Sequence, residues 1–199
     1  MQTGAADRDF SGYNSAQQGR AVRSLAISAV DAASRDESPV PPVAVDLGCG
    51  RGIESRYLAE HGFTVHAIDV DPSMRPVLAA LGAELPVLPA ITDLSTVSSL
   101  PDCDLLLACA ALPFVPRRAF DALWDIMLAA LRPGGILAVD LFGDRDDWAG
   151  TDGTYLARPE VEAALEGLEV LELEEGERDG ASFGGPKHWH TYRVLARRR

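Results

Sequence analysis

The sequence lacks the features that would assign it to several large classes of protein. No apolar run is long enough to span a bilayer, and the first residues, MQTGAADRDF, do not follow the charged and then apolar pattern of a signal peptide. The three cysteines, Cys49, Cys103 and Cys109, show neither paired metal-ligand spacing nor a plausible disulfide framework. These absences predict a cytoplasmic protein with no membrane partner and no bound metal.

Basic residues are also scarce. The chain has 18 Lys and Arg against 30 Asp and Glu, a net charge of −12, and its basic residues form no long stripe. Such a surface would repel duplex DNA or RNA, so no nucleic-acid partner is predicted, but acidic solubility explains the balance equally well. The 199 residues suit one core and are too few for two ordinary domains. We therefore predict a single domain over residues 1–199, with residues 1–14 flexible and residues 15–33 in a helix.

The rest of the chain is organised around residues 43–71. An apolar run, Val43–Leu47, precedes a glycine cluster, which is typical of a buried parallel strand followed by a turn into a helix. Glycine reaches backbone conformations that other residues avoid and lets a ligand lie directly on the main chain. A second apolar run, residues 64–68, ends at Asp69, whose carboxylate can accept both hydroxyls of a ribose. The pattern predicts a βαβ unit that binds a nucleoside.

The glycine spacing indicates which nucleoside. The dinucleotide pattern G-x-G-x-x-G, counted from Gly48, requires its third glycine at Ile53, but Gly52 comes one residue earlier. The D-x-G-x-G-x-G string from Asp46 to Gly52 resembles motif I of the class I S-adenosylmethionine (SAM) dependent methyltransferases. NAD binding and a purely structural turn are the alternatives.

The resemblance covers the chain from Val43 to its end. The LRPGG turn at residues 131–135, placed before an apolar strand, resembles the family's penultimate motif. The KHWH string at residues 187–190 resembles the ending of small methyltransferases of the tellurite-resistance type. The family implies a Rossmann-like α/β fold with helices on both faces of a seven-stranded sheet. Its strand order is 3-2-1-4-5-7-6, with the last strand antiparallel. It also implies SAM as cofactor and a small molecule as methyl acceptor.

The resemblance also implies a set of cofactor-binding residues. An acidic residue in the position of Asp93 binds the exocyclic amine of adenine in this family, but Asp93 could instead cap a helix over residues 95–100. Cys109 would lie at a strand end beside the methyl donor, and both it and Cys49 are interpreted as packing residues and not as nucleophiles. The predicted set is Asp46, Gly48, Cys49, Gly50, Gly52, Asp69, Val70, Asp93, Leu94 and Cys109.

Candidate acceptor-binding residues lie outside the cofactor motif. In the family, a helix in the position of residues 15–33 covers the pocket, so Tyr13 and Arg20 are candidates, with a plain surface helix as the alternative. The loop of residues 143–148 has three carboxylates that could hold a divalent cation, but no histidine is expected near it and Arg145 would oppose the cation. A glycine-rich loop, residues 176–186, is predicted to join the two strands of a hairpin near the pocket. The predicted acceptor-binding set is Tyr13, Phe114, Asp144, His188 and Trp189.

Three functions remain open from sequence alone. The first is transfer of the SAM methyl group to a small molecule, for which alignment is the main requirement. A base is needed only if the nucleophile arrives protonated; His188 has a suitable pKa class but could be a structural strand residue, so no catalytic residue is assigned. The second is a same-fold enzyme that releases methylthioadenosine by intramolecular displacement. The third is a SAM-binding protein without turnover.

Overall fold

A computed structural model describes residues 9–33 and 40–199. The helices are α1 (Phe10–Ala16), α2 (Ser24–Ala32), α3 (Ile53–Glu60), α4 (Arg75–Glu84), α5 (Arg117–Ala130) and α6 (Arg158–Ala164). The strands are β1 (Val43–Leu47), β2 (Thr64–Asp69), β3 (Val87–Ile91), β4 (Cys103–Ala108), β5 (Leu131–Gly143), β6 (Tyr155–Leu156), β7 (Leu168–Ser182) and β8 (Gly185–Arg198). Among the described residues, no helix has the length and apolar character needed to cross a membrane.

All eight strands form one sheet in the order β3-β2-β1-β4-β5-β8-β7, with β6 paired to β5. The strands from β1 to β5 are parallel, and β8 runs antiparallel to both β5 and β7. This confirms the predicted sheet order and the antiparallel last strand. The numbering shifts by one because the two-residue β6 was not predicted.

The central strands are apolar on both faces because helices cover both faces of the sheet. Successive residues of β1 point to opposite sides: Ala44 joins the core beneath α2, α3 and α4, whereas Val45 joins the core beneath α5 and α6. The longest helix, α5, buries one stripe of side chains, made up of Phe120, Leu123, Trp124, Met127 and Ala130. The carboxyl ends of β1, β2, β4 and β5 therefore meet at one edge, held between two packed layers.

The N-terminal segment differs from its prediction. The helix expected over residues 15–33 is two helices, because Gly19 between them adopts a φ of +77°. The segment expected to be flexible, residues 1–14, already contains α1 from Phe10, while residues 1–8 lie outside the described residues. The helix over residues 95–100 that was the alternative to adenine binding by Asp93 does not form, because only a single 3-10 turn is present there, at Leu94–Thr96.

The predicted loop over residues 176–186 is wrong. Pairing continues from Gly176 opposite Thr191 to Ser182 opposite Gly185, so the hairpin turn shrinks to Phe183 and Gly184. Glycines and charged residues argue against a strand when they must be buried, but most of this ribbon is exposed. Cross-strand hydrogen bonding and charge pairing therefore suffice to extend it.

Two glycines provide a matched test of the packing behind the glycine turn. A Cβ at Gly52 (φ +75°) would lie 2.7 Å from Leu81, whereas a Cβ at Gly62 (φ +92°) would meet nothing within 4 Å. We expect Gly62→Ala to cost about 1–2 kcal/mol of unfolding free energy for its left-handed backbone. Gly52→Ala should cost about 1–3 kcal/mol more because of overpacking. Urea unfolding of both variants measures the difference; equal losses would show that α4 yields to the added methyl group.

Candidate functional site

The glycine turn after β1 is folded back onto β2. The backbone N–H groups of Gly48 and Cys49 both donate to the carbonyl oxygen of Ile68, at 2.8 and 3.0 Å. Gly48, Gly50 and Gly52 have φ angles of +72°, +52° and +75°, the left-handed region that favours glycine. A Cβ at Gly48 would also overlap Ala111. The sequence therefore needs glycine here for both backbone conformation and space.

Asp69 fixes this turn to the end of β2. Its Oδ2 accepts a hydrogen bond from the Gly50 N–H at 2.7 Å, and its Oδ1 accepts one from the Asp71 N–H at 2.9 Å. Burial raises the pKa of Asp69, and these amide donors oppose the rise. Each carboxylate oxygen retains a second lone pair, so the group can still accept from a ligand hydroxyl.

A second carboxylate, Asp46, is buried just before the turn. Its Oδ2 accepts a hydrogen bond from the Ser55 hydroxyl at 2.6 Å, and burial raises its pKa to about 7. Arg20 does not extend towards the glycine turn as a free cation. It binds Glu54 through two hydrogen bonds, both 2.7 Å long, and so joins the α1–α2 connection to α3.

The remaining predicted cofactor residues lie around the same edge. Val70 is 40% exposed at the end of β2, which leaves an apolar surface open there. Asp93 Oδ1 accepts the Ser95 N–H at 2.8 Å, so the capping alternative describes this oxygen, although over a 3-10 turn and not a helix. Leu94 is buried in the core beneath α5. A role for Asp93 in binding adenine thus stays a prediction.

The cysteines of this edge are poor nucleophiles. Burial raises the pKa of Cys49 and of Cys109, so both thiols stay protonated at neutral pH. Cys109 directly follows β4 and is half-buried, and Cys49 is buried within the turn. Both positions are consistent with small residues that line or support a cleft.

Half-buried aromatic side chains cluster beside the end of β4. The ring centroid of Phe114 lies 5.6 Å from that of Phe10 in α1 and 6.1 Å from that of Trp148 in the β5–β6 loop. Trp148 in turn lies 5.7 Å from Trp189 of β8. These are the distances of favourable aromatic pairs. Four separate segments thus form one aromatic wall, and sequence reasoning missed Phe10 and Trp148.

Tyr13 lies on α1 three residues after Phe10, on a neighbouring part of the same helix face. Its ring contacts Phe183 of the hairpin turn, with 6.0 Å between the centroids, and its hydroxyl accepts a hydrogen bond from Arg23 at 3.0 Å. The N-terminal helix and the hairpin turn therefore meet over the carboxyl edge of the sheet.

The loop of residues 143–148 is fixed to β8 by a buried ion pair. Lys187, the only lysine in the chain, binds Asp146, and both side chains are at most 3% exposed. The Lys187 Nζ lies 3.5 Å from the Trp148 ring centroid and 4.0 Å from that of Trp189. Asp146 also accepts the backbone N–H groups of Trp148 and His190. No sequence pattern connects Asp146 to Lys187, because they are 41 residues apart.

Asp144, a predicted acceptor ligand, faces a charged cluster on the outer side of the hairpin. Its carboxylate lies 3.5 Å from His190 Nδ1 and 3.6 Å from the Arg145 guanidinium. Glu175, Glu177 and His190 bring ligand atoms within 4.8 Å of one another, in a geometry that suits a metal ion. The Arg145 guanidinium donates to both glutamates, at 2.8 and 2.6 Å. The expectation that no histidine lies near this loop is therefore wrong.

His188 and Trp189 point to opposite faces of β8, as successive strand residues do. Trp189 faces the aromatic wall, whereas His188 contacts Asp179 at 2.8 Å and Glu177 at 3.1 Å. Hydrogen bonds to Asp179 and Glu177 raise the pKa of His188. The structure therefore brings Tyr13, Phe114 and Trp189 to one side and leaves His188 and Asp144 on the other.

Comparison with protein families and with curated proteins gives a consistent result. The model of the methyltransferase domain family matches residues 45–139. Trans-aconitate 2-methyltransferase of Mycobacterium tuberculosis is 33% identical over 126 residues, which cover 61% of this chain and 45% of that protein. The chain therefore spans less than half the length of this relative.

Solved structures share the whole sheet. TehB from Haemophilus influenzae superimposes with a TM-score of 0.77 at 19% identity, covering 96% of this chain and 67% of that chain. The 1,6-didemethyltoxoflavin-N1-methyltransferase of Burkholderia thailandensis, solved with 1,6-didemethyltoxoflavin and S-adenosylhomocysteine, gives a TM-score of 0.67 at 21% identity, over 94% and 82% of the two chains. At these identities the likeness establishes the fold.

The ion pairs of His188 predict a pH-dependent stability. Because the pKa is raised in the folded state, the pairs contribute fully below about pH 6.5, the unfolded value, and the contribution is lost as pH rises through the folded pKa. We expect His188→Gln to flatten this part of the stability profile, and Asp179→Asn to flatten it partly. Urea unfolding at intervals between pH 5.5 and 8.5, roughly the span of such a shift, measures both against the wild type. Parallel profiles would mean that His188 carries no proton bound by these carboxylates.

Proposed function

Because residues 45–139 match the model of the methyltransferase domain family and the sheet has the strand order of the class I SAM-dependent enzymes, we propose that this chain transfers the methyl group of SAM to a small-molecule nucleophile. The relatives and solved neighbours named as methyltransferases support this class of reaction. Cytoplasmic location and the absence of a nucleic-acid partner stay predictions.

The glycine turn with Asp69 is the observation that carries the proposal. Every glycine of the turn has a positive φ, and a Cβ at Gly50 would come within 2.7 Å of the Asn14 side chain. Gly48, Gly50 and Gly52 thus present only backbone at the turn, and α1 packs against it through Asn14. We assign Asp69 to the ribose hydroxyls, the backbone of residues 48–50 to the amino-acid end of the cofactor, and Val70, Asp93 and Leu94 to the adenine.

The two buried carboxylates fit a cationic cofactor. Burial raises the pKa of both Asp46 and Asp69 because it disfavours their charged forms, and a bound cation beside the glycine turn would oppose that rise and favour the carboxylates. When bound, SAM supplies a methyl carbon that is already activated by the sulfonium charge. The chain's own residues then need to align the acceptor, which can account for about 7–11 kcal/mol of barrier lowering. No side chain is assigned as a general base.

The acceptor site is proposed where α1, the β5–β6 loop and the hairpin meet. Tyr13, Phe114 and Trp189 are its lining residues from the predicted set, joined by Phe10 and Trp148. An enclosure made of four short segments, the stretch after β4 with Phe114 included, suits a small acceptor better than a folded macromolecule. His188 and Asp144, which lie in the outer ion cluster, are left with a structural role.

Incubation with methyl-labelled SAM and a metabolite extract tests the reaction class. We expect S-adenosylhomocysteine as the product of the cofactor and one or a few labelled small molecules, identified by mass spectrometry. Release of methylthioadenosine would instead indicate intramolecular displacement within SAM. Saturable SAM binding without any labelled product would indicate a binding protein without turnover.

Asp69 provides the sharpest test of the cofactor site. Asp69→Ala should weaken S-adenosylhomocysteine binding by about 1.5–3 kcal/mol, the range for a hydrogen bond to a charged group. It should also lower stability, because the Gly50 and Asp71 amides lose their acceptor. Calorimetric titration, with Asp93→Ala as the comparison and NAD as the control ligand, measures the effect. Binding of NAD by the wild type, or undiminished affinity in folded Asp69→Ala, would contradict the assignment.

A further inference from the structure

Arg23 places a positive charge at the proposed acceptor site. It is the residue immediately before α2, it is half-buried, and its guanidinium donates to the Tyr13 hydroxyl at 3.0 Å. Tyr13 connects it to the aromatic segments through α1 and Phe183. The guanidinium therefore lies beside the enclosure that the aromatic side chains form.

Neighbouring arginines are committed to structural contacts, but the Arg23 guanidinium is not. Arg20 makes its two hydrogen bonds to Glu54, and Arg193 binds the hydroxyls of Ser24 and Ser28 on α2. Among the residues that the structure describes, Arg23 takes part in none of the ion pairs. This is notable in a chain with 30 acidic residues.

The neutral Tyr13 hydroxyl accepts a hydrogen bond from only one N–H group of the Arg23 guanidinium. Arginine carries five N–H donors in a rigid plane that matches a carboxylate or another planar anion through two parallel bonds. Asp140 and Glu54 lie near enough to interact with the Arg23 charge but form no ion pair with it. A bound anion would supply the direct partner that this partly desolvated cation lacks. The Arg23 guanidinium thus has donors left for an anion and lies next to the aromatic wall.

Asp140 is the acidic group that could compete for this charge. It lies on β5, where it pairs across the sheet with Arg193. Burial, the largest effect, raises the pKa of Asp140, while Arg23 and Arg193 oppose the rise. Because Asp140 and Arg23 form no ion pair, Asp140 leaves the donors of the guanidinium available to a ligand.

We propose that Arg23 binds an anionic group of the methyl acceptor, so that the acceptor is a small anion whose apolar body lies against Phe114 and Trp148. The proposal rests on the proposed function and adds the substrate class to it. Arg23 is a specificity-determining residue in this scheme. The aromatic wall supplies the apolar contact area, and the guanidinium selects for charge.

The test separates the metabolite extract by ion exchange into anionic, neutral and cationic pools before incubation with methyl-labelled SAM. We expect the label in the anionic pool. Arg23→Gln should lower labelling at least about tenfold, as the loss of a hydrogen bond to a charged group does. Arg23→Lys keeps the charge but not the planar pair of donors, so its labelling should fall between that of the wild type and that of Arg23→Gln. S-Adenosylhomocysteine affinity should stay unchanged in each variant.

Arg132→Gln is the matched control. It removes the same charge, but Arg132 binds Asp104 near the start of β4, at the opposite edge of the sheet. Its labelling should equal that of the wild type. Label confined to the neutral or cationic pools, or Arg23→Gln labelling as strongly as Arg132→Gln, would overturn the anionic acceptor while leaving methyl transfer intact. No label in any pool would overturn the proposed function and this inference with it.

Discussion

The hydrogen bonds that hold the glycine turn against β2 are the constraint on which the carboxyl edge depends. One carbonyl, that of Ile68, accepts two amides of the turn, and the carboxylate of Asp69 accepts a third. The turn can lie this close only because Gly48, Gly50 and Gly52 carry no side chains, so the same three residues allow both the backbone conformation and the approach of a ligand. The second Asp69 oxygen binds the Asp71 amide, and Asp71 binds Asn14 at 3.0 Å, so the position of α1 follows from the same carboxylate.

The opposite side of the edge is organised by charge. Lys187 and Asp146 are buried together, and such a pair gains little net stability over an apolar replacement but is costly to break on one side. Its effect is therefore mainly geometric: the pair sets Trp148 and Trp189 at defined positions around the ammonium group. On the outer side, Arg145 links the same loop to β7 by its hydrogen bonds to Glu175 and Glu177. The loop is thus held from inside and from outside, which keeps the aromatic wall in place.

Sequence reasoning succeeded where one segment determines its own structure. The apolar run of β1 and the glycine spacing after it predicted a buried strand and a turn because each needs information from fewer than ten residues, about the reach of local pattern. The order of the whole sheet was implied by the family resemblance. It failed where distant segments decide. The ribbon over residues 176–186 forms because β8 supplies partners for polar residues, and Asp146, Lys187 and His190 meet only after β5 and β8 pair. Arg23 gave no local signal either, since only the position of Tyr13 relative to α2 shows where its guanidinium lies.

The candidate functional site is indicated by the chemistry of its residues and not by the volume of a cavity. A cavity of about 560 Å³ lies between α3 and α4, behind Gly52, with Tyr57 and Val77 in its lining. Its charged rim is largely neutralised, because Arg56 pairs with both Glu60 and Glu84. The buried carboxylates of Asp46 and Asp69, and the closely approached Gly48 and Gly50, instead lie at the carboxyl edge of the sheet, where α1 rests on the turn through Asn14. Because Asn14 of α1 binds Asp71 and lies against Gly50, this helix covers the edge where the buried carboxylates are concentrated.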